Sequence, residues 1–85
     1  MNITDIRVRK VENGGKLAGV ASITIDGAFV VHEIKIIQGE MGLFVAMPSR
    51  KSSDGEYRDI CHPVNAEVRS DIQNRILKVY EGTEE

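Results

Sequence analysis

Glycine-centred turn signals punctuate the first half of the chain and constrain it more than any other feature. Asn13-Gly14-Gly15, Asp26-Gly27 and Gly39-Glu40-Met41-Gly42 recur at near-even spacing. Asn-Gly, Gly-Gly and Asp-Gly supply the positive φ that a tight hairpin loop needs. The segments between them alternate apolar and polar residues, the period-2 mark of half-buried strands. Ile6-Arg7-Val8-Arg9 alternates, and Lys10 falls on the Ile6/Val8 face, so Val11 joins that face only through a bulge. In Leu17 to Ile25, Ala21, Ile23 and Ile25 share one face, with Ser22 and Thr24 on the other. Ala28 to Gln38 sets Val30, His32, Ile34 and Ile36 on one face, with Phe29 and Val31 starting the opposite one. Its first half is apolar on both sides, as a strand covered twice would be.

The second half changes character at its two prolines. Leu43 to Met47 is a short apolar strand, stopped by Pro48, which has no N–H for a ladder. Ser49 to Glu56 reads as a polar loop rich in turn formers. Tyr57 to His62 reads as the last strand, with Tyr57 and Cys61 on one parity. Pro63 holds His62 extended, Asn65 suits a helix N-cap, and Glu67 suits the positive first turn. Val68, Ile72, Ile76, Val79 and Tyr80 then recur at three- and four-residue steps, so one helical face is apolar. The expected helix covers 66–80, with Gly82 as a stop. Strands in a meander followed by one helix predict an α+β domain: an antiparallel sheet with a C-terminal helix packed on one face. A single domain over residues 1–80, followed by an acidic tail at 81–85, is the expected organisation.

Size and charge narrow the function. A chain of 85 residues and 9.4 kDa has a small core, and association with a second copy would help it. The net charge of −2 and a pI near 5.7 argue against strong non-specific nucleic-acid binding, which usually goes with a pI above ~9. They leave room for a local basic patch, since position matters more than the total. The single Cys excludes an internal disulfide and a Cys-pair zinc site. Without a charged-then-apolar leader or a run of roughly 18 apolar residues, the expected compartment is a reducing cytoplasm, away from membranes.

Enzymatic constellations find little support. Cys61 and His62 are adjacent, and neighbouring side chains on a strand point to opposite faces, so they cannot form a nucleophile–base pair. Asp59 and His62 with Ser49, Ser52 or Ser53 lack any nucleophile-elbow signature. His32, Cys61 and His62 lack metal-ligand spacing, and His32 reads as a core or interface residue. No glycine-rich phosphate cradle is present. The expectation is no catalytic site, no metal, no cofactor and no small-molecule substrate.

Basic constellations remain. Ser49-Arg50-Lys51-Ser52-Ser53 carries two adjacent cations among hydroxyls, a common kind of phosphate contact, and Arg58 lies on the strand returning from it. Arg69, Arg75 and Lys78 lie on the helix, beside Gln73 and Asn74, whose amides can read base edges. An ordinary solvated surface has the same composition.

The chain resembles the SpoVG family of bacterial sporulation and septation proteins. Four blocks carry the resemblance, in order: Ala21 to Ile25, Phe29 to Ile34, Gly42 to Ser49, and Asp54 to Asn65. Cys61 stands where the family pattern suggests Ala, and Arg50-Lys51 reverses a common order. The resemblance implies a small cytosolic homodimer whose sheets join across the interface. It implies site-selective binding of DNA, with RNA as a second target, in control of sporulation, septation and gene expression. Carried over by position, the nucleic-acid residues are Arg50, Lys51 and Arg58, then Arg69, Arg75 and Lys78. The rival expectation is a protein–protein module that acts on the septation machinery through an exposed sheet edge.

Overall fold

The Asp26-Gly27 signal becomes a two-residue hairpin turn with both φ positive, 53° and 62°, closed by Ala28 N–H donating to the Ile25 carbonyl at 2.9 Å. That geometry twists with the flanking strands, which is why it joins them so tightly. The computed structural model describes residues 2–83. Strands β1 (Ile3–Lys10), β2 (Leu17–Ile25), β3 (Phe29–Gly39) and β4 (Gly42–Ala46) form one antiparallel sheet in the order β1-β2-β3-β4. Helix α1 (Ala66–Gly82) crosses one face of this sheet and touches both edge strands, β1 and β4. The α+β architecture expected from the sequence is thus present, with the helix over a meander.

The core lies between helix and sheet. Ala21, Ile23, Ile34, Ile36, Val45, Met47, Ile72 and Ile76 are its buried residues. Ile34, Ile36 and Ile76 are fully enclosed, each stabilising the fold by roughly 1.5–3 kcal/mol through apolar burial. Asn65 caps the helix, its side-chain oxygen accepting from Val68 N–H at 2.8 Å. The helix runs two residues beyond the expected end and is capped at Thr83, whose N–H donates to the Tyr80 carbonyl at 3.1 Å. Glu81 and Gly82 are therefore helical, and the rest of the acidic tail, Glu84 and Glu85, lies outside the described residues. Lys10, on the core-facing parity of β1, carries its ammonium 4.7 Å from the centre of the Tyr80 ring. A cation over an aromatic face resolves what alternation alone left awkward at that position.

Three expectations are corrected. First, the faces of β3 switch midway. Ala21 pairs with Ile34 and Ile23 with Val31, so Ser22 opposes both His32 and Glu33. Glu33 takes φ 64°, and this bulge turns the strand by one residue. Phe29, Val31, Ile34 and Ile36 consequently share the core-side register, while Val30 and His32 lie on the other face. His32 is exposed, not in the core. Second, the first half of β3 is not covered twice within this chain: Phe29 is 66% and Val30 44% exposed. Third, Tyr57 to His62 adds no fifth strand to the sheet. Only β6 (Tyr57–Asp59) is extended, and it pairs with β5 (Ser49–Lys51) in a separate two-stranded hairpin. All six of these residues are exposed, so no apolar alternation marks them.

Candidate nucleic-acid interface

The hairpin begins where Pro48 ends pairing with the main sheet. Its base is closed by Ile60 N–H donating to the Pro48 carbonyl at 2.7 Å, and its tip by Ser52 N–H to Glu56 at 2.8 Å and Gly55 N–H to Ser52 at 3.0 Å. Asp54 organises the tip. Its carboxylate accepts from Glu56 N–H at 3.1 Å and from the Ser52 hydroxyl, and it pairs with Arg58 at 3.3 Å. The Ser52 hydroxyl bond, then the Glu56 N–H, with a smaller contribution from Arg58, hold the Asp54 carboxyl below its ordinary pKa. Sequence reasoning passed over Asp54, although an Asp that bonds backbone two residues on is a recognisable turn device.

Register decides how the hairpin presents its cations. Arg50 stands directly opposite Arg58, and Lys51 opposite Tyr57. Two arginines on one face repel unless something offsets them. Asp54, with Glu56 at 3.9 Å, draws on Arg58, which leaves Arg50 the freer member. Arg50 and Lys51 are exposed and have no ion-pair partner among the described residues. Counted whole, the hairpin is neutral, three cations against Asp54, Glu56 and Asp59. Its attraction for phosphate therefore depends on which charges are already paired.

The helix offers a second, separate group. Arg69, Asn74 and Lys78 are exposed, and neither cation is ion-paired among the described residues. Arg75 is committed to Asp71 at 3.0 Å, one helical turn away. Glu67, Asp71 and Glu81 balance the three helix cations, so the surface is mixed and carries no basic stripe. Gln73 is a correction. It was expected to point outward, but it is half-buried and its side-chain carbonyl accepts from Val45 N–H at 3.2 Å. β4 is an edge strand, and among the described residues no further strand satisfies that donor; Gln73 fills the role. Among the described residues the hairpin strands make no extensive contact with the helix, so Arg50, Lys51 and Arg58 form one group and Arg69, Asn74, Arg75 and Lys78 another.

Cys61 is half-buried rather than enclosed. His62 Nδ1 lies 3.0 Å from the Pro63 carbonyl, a contact that requires that nitrogen to carry the proton. Among the described residues, no three His, Cys, Asp or Glu side chains gather where a metal could bind, and no helix is long and apolar enough to cross a membrane.

The last feature is an open backbone edge. β4 pairs only with Lys35–Gly39 of β3. Phe29–Ile34 therefore has no strand partner on that side among the described residues. A groove of ≈ 490 Å³ runs beside it, with Phe29, Val30 and His32 on one wall and Pro48, Ile60 and Cys61 on the other. Ile60 is 64% exposed.

A four-stranded meander under one helix, with a small polar hairpin beside it, defines the class: a single-core α+β domain with a separate, exposed two-stranded hairpin. The SpoVG family model matches residues 1–82, and the chain belongs to that family. Among similar proteins, the "Putative septation protein SpoVG" of Lachnospira eligens is 63% identical over 84 residues, covering 99% of this chain and 96% of the relative. The Agathobacter rectalis protein of the same name is 66% identical over 80 residues, covering 94% and 92%. That of Staphylococcus saprophyticus is 52% identical over all 85 residues and 84% of its own length.

Proposed function

We propose that this chain is a non-enzymatic regulatory nucleic-acid-binding protein, acting in the cytoplasm in the control of septation and sporulation. The relatives' name supports the septation role. The observation that carries nucleic-acid binding is the pair Arg50 and Lys51, exposed, free of ion pairs among the described residues, and flanked by the hydroxyls of Ser49, Ser52 and Ser53. Such a group suits the phosphate backbone, which rewards cations and hydroxyl donors without demanding fixed geometry. Arg58 is already paired and acts chiefly to shape the hairpin. On the helix, Arg69 and Lys78 add phosphate contacts and Asn74 reads a base edge, whereas Gln73 and Arg75 are held by the fold.

A homodimer completes the reading. The open Phe29–Ile34 edge pairs antiparallel with the same edge of a second copy, and the exposed Phe29, Val30 and Ile60 lose water in doing so. Two hairpins on one particle raise a modest affinity by avidity where their spacing fits the target. Selection of bound molecules from random DNA and RNA pools, followed by salt titration, tests the reading. Enriched sequences with binding that weakens steeply with salt support it. Salt-insensitive capture of an extended peptide at the β3 edge, with no enriched nucleic acid, refutes it in favour of a protein-binding module.

A further inference from the structure

The hairpin tip holds two serines in different states. Ser52 is half-buried, and its hydroxyl lies within hydrogen-bond reach of the Asp54 carboxylate and, at 2.9 Å, of the Glu56 carbonyl. Ser53 is exposed at the apex, and its hydroxyl makes no hydrogen bond among the described residues. Arg50 stands three residues before it and Lys51 two before it, both exposed. The strands leading to the apex have three residues each. A two-stranded ribbon that short is marginal by itself and opens at little cost.

We propose that Ser53 is a phosphorylation site for a protein serine kinase whose peptide groove is acidic, and that its phosphate switches off the hairpin. Kinases discriminate substrates by charge pattern, and cations two and three residues ahead of a free serine suit an acidic groove. In the transfer the Ser53 Oγ attacks the γ-phosphorus of ATP. The new O–P bond forms as the bond to the bridging β,γ-oxygen breaks, ADP leaves, and the hydroxyl proton passes to the kinase's catalytic carboxylate. The product adds about −1.5 to −2 charges at pH 7, converting a neutral hairpin into an acidic one. The phosphate is drawn to Arg50 and Lys51 within its own strand and turn, and occupies the two cations otherwise free for nucleic acid. Ser52 is the poorer acceptor, because its hydroxyl must first give up its bonds within the turn.

The regulatory half rests on the hairpin being the phosphate-binding element, whereas the site itself does not. The test uses the full chain, ATP and a basic-directed serine kinase. Phosphate should map to Ser53 by mass spectrometry, persist in Ser52→Ala, disappear in Ser53→Ala, and be added at least about tenfold more slowly to Arg50→Gln/Lys51→Gln. Each phosphate contact contributes about half a decade to the fall in affinity between roughly 50 and 200 mM salt, so with two cancelled the phosphorylated chain should bind duplex more weakly, by a margin about tenfold larger at the lower salt than at the higher. Phosphate on Ser52 or elsewhere, or equal labelling of the double variant, overturns the site. Normal binding by the Ser53-phosphorylated chain overturns the switch. If the unmodified chain binds no nucleic acid, the proposed function and the switch fail together, while the labelling result still decides the site.

Discussion

The sheet–helix body and the β5–β6 hairpin are stabilised by different physics. The body is held by apolar burial: Ile34, Ile36 and Ile76 are fully enclosed, and among the described residues no polar side chain is buried. The hairpin buries none of its six strand residues and is shaped by hydrogen bonds and ion pairs around Asp54. Burial and exposed charge are therefore carried by separate parts of an 85-residue chain. Residues on the hairpin can change charge without disturbing the core, and core residues can change without touching the cations.

The comparison predicts a graded set of effects. Ile76→Ala should be the most damaging, costing about 2–5 kcal/mol by lost burial and an unfilled cavity. Urea denaturation should register this as a lower midpoint, and a loss under about 1 kcal/mol would contradict the packing described. Asn65→Ala should cost about 1 kcal/mol, since Val68 N–H loses its acceptor. Gln73→Ala should cost a similar amount, roughly 1 kcal/mol, by orphaning Val45 N–H at the β4 edge. It should also make the Val45 amide exchange faster with solvent. Unchanged exchange there would mean that Gln73 is free to reach a ligand after all.

The smallest global effect belongs to Asp54→Asn. The hairpin should lose local order and Arg58 should gain freedom, with little change in the unfolding midpoint. The same contribution depends on pH. Asp54 titrates lower when the turn is formed than when it is not, so ionisation favours the formed turn. That preference is complete above the ordinary Asp range and is lost as pH falls through the lowered value. Amide chemical shifts of Gly55 and Glu56 should therefore move together at acid pH, below an exposed Asp's usual midpoint. A midpoint at or above the usual one would overturn the assignment.

How much of this was legible in the sequence follows the same divide. β1 to β4 and α1 were readable because apolar residues repeat with the period of each element and glycine turns separate them. The face switch in β3 was not, because it needs Glu33 in a left-handed conformation that nothing in its type announces. Of the hairpin, Tyr57–Asp59 was legible as a strand, though a longer one running to His62, whereas Ser49–Lys51 reads as loop, because an exposed strand that buries nothing has no pattern to betray it. In the candidate site, Arg50 and Lys51 were readable as free cations. Arg58 and Arg75 were found as cations, but their pairing to Asp54 and Asp71 depends on local geometry. Gln73 was misplaced because a helical wheel cannot show that an edge strand leaves a donor within reach.

The central claim is that binding is located in the hairpin and stability in the body. Arg50→Ala combined with Lys51→Ala tests it most directly, with unfolding and nucleic-acid affinity measured on the same protein across a salt series. The account predicts stability within about 0.5 kcal/mol of the parent, as for exposed surface changes. It predicts uniformly weaker binding to preferred and scrambled duplexes, and a slope of log K against log salt shallower by roughly two per subunit. An unchanged slope, or a variant that unfolds as readily as Ile76→Ala, would contradict it.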